Sequence, residues 1–427
     1  MTKNAAKLTT IIILTVFLAI MLFSSCIFNK LKGDEESEKQ GNVTESIENK
    51  DPTDSDLPNI SPWPEITQTS ENNTQEDVET TEETKPEQQE PPQKPEPVKA
   101  KALYLTGWTA GTSARLEHFI ELANTTELNA FVIDIKDEDG YVGYKSDVAE
   151  VKKYDASMFK YNADKTLKAL KDNNIYVIGR LVCFKDPVLS VKRPDLAVKT
   201  PDGELWKDYQ KRTWLDPYNK ESWPYIISIA KEAVEKGFDE IQFDYIRFPN
   251  DGDRSKMKFN DNGKKKYEII NEFLEYARSE LPNVILSADI FGIVCESPED
   301  TEDIGQYLEL IGENVDYISP MVYPSHYAVG QIVNKVKFDK PDLEPYGVVY
   351  NTLVKANDRI SEVEGYKAEI RPYLQDFTAS WLGQGYYMKY GAEAVRKQIS
   401  AVVDAGLEEW ILWDAENTYS EDALKKE

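Results

Sequence analysis

The chain has 427 residues, of which 30% are charged, and its formal net charge is −26. No basic patch interrupts this acidic composition, so the sequence argues against a nucleic-acid partner. Its three cysteines are too few for a secreted scaffold built on disulfides, and we expect Cys183 and Cys295 to be buried free thiols because both lie in apolar runs.

The first 26 residues have the layout of a secretory signal. Two lysines precede an apolar run from Leu8 to Phe23, and the small residues Ser24 and Ser25 stand directly before Cys26. The run is shorter than the roughly 20 residues that span a bilayer. A cysteine after small residues resembles the bacterial lipobox, in which the thiol is acylated and becomes the new N-terminus. We therefore expect residues 1–26 to be a lipoprotein signal segment, with the protein anchored through Cys26 to the extracellular face of the membrane, or secreted. Cleavage at another position and a retained membrane anchor stay open.

Residues 27–98 differ in composition from the rest of the chain. They are rich in Glu, Thr, Ser, Asn, Gln and Pro, and Phe28 and Trp63 are their only aromatic residues. Such a segment cannot bury enough apolar surface to offset the entropy lost on ordering. We expect a disordered acidic linker that lifts residues 99–427 away from the membrane.

From residue 99 onward, short apolar runs rich in β-branched and aromatic residues alternate with helical patterns. Near-continuous apolar runs are typical of parallel strands covered on both faces. Eight runs of this kind, separated by amphipathic helices, favour a closed (β/α)8 TIM barrel over an open doubly wound sheet. They begin at Ala102, Ala130, Ile175, Glu240, Asn283, Val315, Ile370 and Glu409.

In such barrels, reactive groups cluster at the C-terminal ends of the strands. Polar and aromatic residues follow most of the eight runs, and we expect them to contact a carbohydrate, because sugar C–H faces stack on aromatic rings while the hydroxyls bind polar groups. For any single carboxylate, a structural salt bridge or a loop cap is the alternative. The expected substrate-binding residues are Trp108, Asp134, Lys136, Arg180, Tyr245, Arg247, Tyr323, His326, Asp376, Trp413 and Asp414.

Two carboxylates on neighbouring strands are the expected catalytic pair. Asp244 ends the apolar strand in FDEIQFDYIRFPNDG, where a nearby cation such as Arg247 can favour its ionised form. Asp289, in SADIFG, is the expected proton donor, although it could instead anchor the turn at Gly292. Cleavage of a glycosidic bond needs both a proton donor and an ionised carboxylate.

From Lys101 to about Tyr419, the sequence resembles the bacterial glycoside-hydrolase-like family DUF4015. The resemblance is carried by KALYLTGWTAG, FVIDIKDEDG, GRLVCFKDP, WLDPYN, EIQFDYIRFP, PMVYPSHY and WDAENTY, in that order. It implies a barrel hydrolase acting on a polysaccharide. It also points to Asp244, because many barrel glycosidases carry a nucleophilic aspartate at strand four.

Two other functions stay open. A metal-dependent hydrolase or deacetylase would usually need several histidine ligands, whereas this chain has only His118 and His326. We expect no metal and no cofactor. The second alternative is a lipoprotein whose silent barrel binds carbohydrate without cleaving it.

Overall fold

The computed structural model describes residues 98–426. The signal segment with Cys26 and nearly all of the linker lie outside the described residues and stay predictions.

Eight parallel strands close into a barrel, and each pairs with the next in chain order. Pairing of Lys101 in the first strand with Trp410 in the last completes the closure, which confirms the predicted (β/α)8 fold. The strands are β1 (Lys101–Leu105), β2 (Ala130–Lys136), β3 (Tyr176–Val182), β4 (Glu240–Asp244), β5 (Ile285–Phe291), β6 (Tyr317–Val322), β7 (the two segments Glu369–Ile370 and Tyr373–Gln375) and β8 (Trp410–Trp413).

The seventh strand is interrupted at Arg371 and Pro372. Both segments pair with β6, through Ile370 with Ile318 and through Tyr373 with Met321. Proline has no N–H to donate to a neighbouring strand, so the ladder breaks at this point and resumes one residue later.

Helices follow the strands on the outside of the barrel. A short antiparallel hairpin, Gln331–Val333 with Val336–Phe338, follows β6 and was not predicted. The helices are α1 (Gly107–Gly111), α2 (Ser113–Thr125), α3 (Ala149–Tyr154), α4 (Ala163–Lys171), α5 (Pro187–Lys192), α6 (Trp223–Lys236), α7 (Lys266–Glu280), α8 (Leu308–Ile311), α9 (Pro345–Ser361) and α10 (Ala392–Asp404).

Strand alternation produces two apolar layers. In β2, Phe131, Ile133 and Ile135 belong to the large core between sheet and helices, whereas Ala130 and Val132 belong to a smaller cluster inside the barrel. Both faces of the strand are therefore covered, and burial of each large aliphatic side chain contributes about 1.5–3 kcal/mol. Cys183 and Cys295 are buried free thiols in the outer layer, as predicted.

Helix α6 shows how the outer layer is built. Ile226, Ile229 and Ala233 recur at helical spacing and are buried against the sheet. The helix ends at Gly237, whose φ of 108° lies in the left-handed region that glycine adopts without a steric penalty. Among residues 98–426, no helix is both long enough and apolar enough to cross a membrane.

A buried ionic layer closes the N-terminal end of the barrel. The Nη1 of Arg371 donates to Glu240 Oε1 at 2.8 Å, and its Nε donates to Glu409 Oε1 at 3.2 Å. The guanidinium carbon lies 3.7 Å from the centre of the Tyr317 ring. One cation thus connects β4, β7 and the start of β8 at the end of the barrel opposite the strand C-termini.

Candidate active site

Arg180 in β3 joins two strand-end carboxylates inside the barrel. Its Nη1 donates to Asp134 Oδ1 at 2.7 Å, and its Nε donates to Asp244 Oδ2 at 2.8 Å. All three side chains are buried. Charge-assisted bonds of this kind are among the stronger hydrogen bonds in proteins, so one guanidinium fixes both carboxyl groups.

The hydrogen-bonded cation at Asp244 is Arg180, whereas we expected Arg247. Arg247 donates to Asn250 Oδ1 at 3.0 Å and to the backbone carbonyl of Phe248 at 3.1 Å. Its guanidinium carbon also lies about 5 Å from each of three ring centres, those of Trp214, Tyr245 and Phe291. Arg247 is therefore held among aromatic rings in the loop beyond β4.

The backbone turns sharply directly after Asp244. Tyr245 has a φ of 50°, in the left-handed region that a bulky residue rarely adopts. Its N–H donates to Asp244 Oδ1 at 2.6 Å, so each oxygen of this carboxylate has a donor. Strained backbone of this kind clusters at functional sites, where it fixes the orientation of a neighbouring group.

Asp289 in β5 has a very different environment. Phe243 in β4 pairs with Ala288 in β5. Asp244 and Asp289, the residues that follow them, therefore lie side by side on adjacent strands, and such strands are about 4.8 Å apart. Asp289 is buried, and its Oδ1 has no hydrogen-bond partner among residues 98–426. Burial, and then the charge of Asp244, raise the pKa of Asp289 well above its usual range. The surroundings of Asp289 therefore favour its neutral form.

Two aromatic rings flank Arg180. Tyr104 and Trp413 stack with their centres 4.0 Å apart, and the guanidinium carbon lies 5.6 and 5.5 Å from those centres. The Tyr104 hydroxyl donates to Asp134 Oδ2 at 2.7 Å. Burial raises the pKa of Asp134 to about 6, although the charge of Arg180 opposes the shift.

Sequence reasoning did not single out Tyr104, because only the last residues of each strand were considered. Tyr104 stands two residues after Ala102, which faces the barrel interior. The strand period of two therefore places Tyr104 on the same inner face, and that signal could have identified it.

Glu138 is a second residue that the sequence reasoning passed over. Its side chain is 38% exposed, and its Oε2 lies 3.6 Å from Arg180 Nη1. Burial favours the neutral form, but the charges of Arg180 and then Lys185 outweigh it and lower the pKa of Glu138 to about 2. Glu138 therefore adds an accessible ionised carboxylate beside the Arg180 cluster.

Lys136 lies on the helix side of β2, contrary to the expected contact with substrate. Its ammonium lies 2.6 Å from Asp186 Oδ2, and both side chains are fully buried. The pairing of β2 with β3 shifts register between Asp134 and Lys136, and such a shift changes which face the later residue occupies. Lys136 therefore connects the strand to the start of α5.

Asp376 and Asp414, at the ends of β7 and β8, both bind the loop after β8. Asp376 accepts hydrogen bonds from the hydroxyl and the N–H of Ser420, at 2.6 and 2.8 Å. Asp414 Oδ2 accepts from the Thr418 N–H at 2.7 Å. Burial raises the pKa of Asp376 to about 7. Both carboxylates therefore act as loop caps, the alternative that the sequence left open.

The remaining expected residues lie in loops after β1 and β6. Trp108, in α1, is 54% exposed. Tyr323 and His326 follow β6, with ring centres 5.2 Å apart, and the Tyr323 hydroxyl has no hydrogen-bond partner among the described residues. Burial lowers the pKa of His326 to about 4, so the ring is neutral at neutral pH. Within residues 98–426, no three His, Cys, Asp or Glu side chains form a group that could hold a metal ion.

Two solved structures illustrate what the chain is similar to. A hypothetical protein from Ruminiclostridium thermocellum is 66% identical, over 44% of this chain and 96% of that one, with a TM-score of 0.43. The glycoside hydrolase domain of PgaB (BpsB) from Bordetella bronchiseptica is 14% identical, over 74% of this chain and 94% of that one, with a TM-score of 0.52. At that identity the second likeness shows the fold alone.

No curated protein matches the chain. The model of the DUF4015 family, described as "Putative glycosyl hydrolase domain", matches residues 102–419 and so covers nearly the whole barrel. The chain therefore belongs to the DUF4015 family of glycosyl hydrolase domains.

Proposed function

We propose that this protein hydrolyses glycosidic bonds in an extracellular or cell-wall polysaccharide, with Asp244 as the ionised carboxylate and Asp289 as the proton donor. The contrast between these two adjacent carboxyl groups carries the proposal. Asp244 is bound by Arg180 and by a backbone N–H, whereas Asp289 is buried with one oxygen unpartnered. Assigning one carboxyl group as acid and the other as nucleophile requires that the two have contrasting environments.

The proposed chemistry follows from these two roles. Asp289 donates its proton to the leaving glycosidic oxygen while Asp244 attacks the anomeric carbon, so the glycosidic bond breaks as a glycosyl ester forms. Water then displaces Asp244 and returns a proton to Asp289. The position of the two residues on adjacent strands supports this pairing, because neighbouring strand ends can bring two carboxyl groups within the range that such reactions need.

Neighbouring groups have supporting roles in this proposal. Arg180 holds Asp244 in one orientation, while the Trp413 ring, backed by the buried Tyr104 ring, offers an apolar face for a sugar. Trp413 is partly exposed. Glu138 is accessible enough to accept hydrogen bonds from sugar hydroxyls.

The location of the enzyme is part of the same proposal. Acylation of Cys26 would hold the barrel at the extracellular face of the membrane, where cell-wall and secreted polysaccharides are available. The signal-like sequence before Cys26 supports this location. Simple secretion is the alternative.

Two substitutions test the catalytic roles. Asp244→Asn keeps the size of the side chain but removes the charge, so we expect a rate loss on the order of a thousandfold, about 4 kcal/mol, with the fold intact. Asp289→Asn should abolish cleavage of natural linkages yet spare activated aryl glycosides, whose leaving groups need no proton. Asp316→Asn, before β6 at the opposite end of the barrel, is the matched control and should retain activity.

Activity is measured as reducing ends released from a panel of cell-wall and exopolysaccharides, with circular dichroism as the check on folding. Near-normal turnover by Asp244→Asn would refute the assignment. A wild-type chain that binds polysaccharide but cleaves none of it would instead be a carbohydrate-binding protein with a silent barrel.

A further inference from the structure

A pair of aromatic rings lies in the loop after β7, outside the proposed catalytic residues. Phe377 follows the strand, and Trp381 lies in the helical turn Ser380–Leu382. Their rings stack with centres 5.9 Å apart and an interplanar angle of 23°. Both side chains are partly exposed, so the pair presents apolar surface on the side of the barrel where the strands end.

The pair is connected to the catalytic carboxyl groups through Tyr323. The Tyr323 ring meets Phe377 edge-on, with centres 5.6 Å apart. Tyr323 directly follows β6, and β6 pairs with β5, the strand that carries Asp289. The aromatic surface therefore extends outward from the proposed cleavage point.

Two buried donors in this group lack acceptors. The Tyr323 hydroxyl and the Trp381 Nε1–H have no hydrogen-bond partner among residues 98–426. A buried donor without an acceptor is unfavourable, so a ligand that supplies an acceptor to either group would be stabilised. Stacked rings with nearby unpaired donors match a ligand that has apolar C–H faces and hydroxyl or ether oxygens at its edge.

The aromatic rings around the pair carry no charge. The rings that contact Phe377 are Tyr323, His326 and Trp381, none of which is charged at neutral pH. A cationic or anionic sugar would find no counter-ion among them.

We propose that Phe377 and Trp381, with Tyr323, form a subsite that stacks a neutral, β-linked pyranose unit next to the cleaved bond. In a β-linked gluco-configured chain, the ring substituents are equatorial and the axial C–H groups form flat apolar faces that fit aromatic rings. The subsite deepens the proposed function, on which it rests, by naming the substrate class.

Binding is measured by affinity electrophoresis of the full-length chain in gels that contain one soluble polymer. The polymers are mixed-linkage β-glucan (neutral, β-linked), pullulan (neutral, α-linked) and chitosan (cationic, β-linked). Every variant also carries Asp244→Asn, so that the polymer is not degraded during the run.

We expect mixed-linkage β-glucan to retard the parent chain more than pullulan does. Chitosan should retard it through the net charge of −26, and this retardation should not depend on Trp381. Trp381→Ala and Phe377→Ala should each weaken the retardation about tenfold, whereas Trp381→Phe, which keeps a ring but loses the N–H, should weaken it less. Tyr276→Ala in α7 is the matched control, because it removes a partly buried ring outside the pair and should leave binding unchanged.

The subsite is refuted if mixed-linkage β-glucan does not retard the parent chain, if pullulan retards it as strongly, or if Trp381→Ala binds like the control. It is also refuted if Trp381→Ala weakens retardation by chitosan as much as retardation by β-glucan. A failure of the catalytic assignment looks different, because the Asp244→Asn parent would then cleave the polymer.

Discussion

Replacing Arg180 should lower the free energy of unfolding, because this residue is the shared cation of two buried carboxylates. Arg180→Met leaves Asp134 and Asp244 buried without their shared cation. Removing one partner of a buried ion pair typically costs about 3–5 kcal/mol, because the charge left behind is uncompensated. Methionine retains most of the volume, so the loss should reflect charge rather than a cavity.

The cost should depend on pH in a defined direction. Burial raises the pKa of Asp134 to about 6 even with Arg180 present, and loss of the cation moves it further in the same direction. A carboxyl whose folded pKa lies above its unfolded value favours the folded state at low pH and destabilises it as pH rises through the folded pKa. Arg180→Met should therefore be most destabilising near pH 8 and less so near pH 5.

Urea unfolding followed by circular dichroism at both pH values measures this effect. Arg193→Met is the matched control, because Arg193 forms an exposed pair with Asp195 that should contribute about 1 kcal/mol or less. If Arg180→Met unfolds within 1 kcal/mol of wild type at pH 8, the carboxylates do not depend on this cation and the reasoning is wrong.

Three further predictions concern other parts of the chain. Burial raises the pKa of Asp376 from 3.8 to about 7, so this carboxyl should destabilise the folded state as pH rises from 4 to 8. Asp376→Asn should reduce this pH dependence of the free energy of unfolding by a few kcal/mol, which urea unfolding midpoints at pH 4 and pH 8 measure. Arg371→Met leaves the buried Glu240 without its cation and should lower the free energy of unfolding by about 3–5 kcal/mol in the same assay. An unchanged urea midpoint would contradict a stabilising role for the ionic layer. Cys26→Ser should release the protein from membranes or leave its signal segment uncleaved. Membrane fractionation detects the first outcome and the mass of the N-terminal peptide detects the second; no change in either would argue against acylation.

The barrel was predictable because its strands are covered on both faces. All seven residues of β2 are buried, for example, and such runs stand out in a sequence from the helices between them. The hairpin after β6 was not predictable in this way, because its strands have three residues each and expose Ile332 and Val336. The break in β7 depends on Pro372, whose effect on the pairing could have been anticipated.

The sequence predicted where the site residues stand in their strands better than it predicted which side chains they contact. Asp244, at the end of β4, and Arg180, in β3, were selected because of where they stand in their strands, and they bond to each other. Which cation reaches Asp244 depends on side-chain geometry across two strands and on the turn at Tyr245, and neither is visible in sequence spacing. The displacement of Lys136 to the helix side follows from a single register shift that a strict period of two cannot anticipate.

The ionic layer at the closed end of the barrel has a consequence for how the chain folds. Arg371 and Glu240 are 131 residues apart in the sequence, so the carboxylate on β4 receives its cation only after nearly the whole chain has been synthesised. Contacts of such long range are slow to form and require loop closure first. A fragment ending after β6 would leave Glu240 without its cation, and the sheet would have two open edges. We therefore expect the barrel to be completed late and as a unit, with no stable half-barrel on the way.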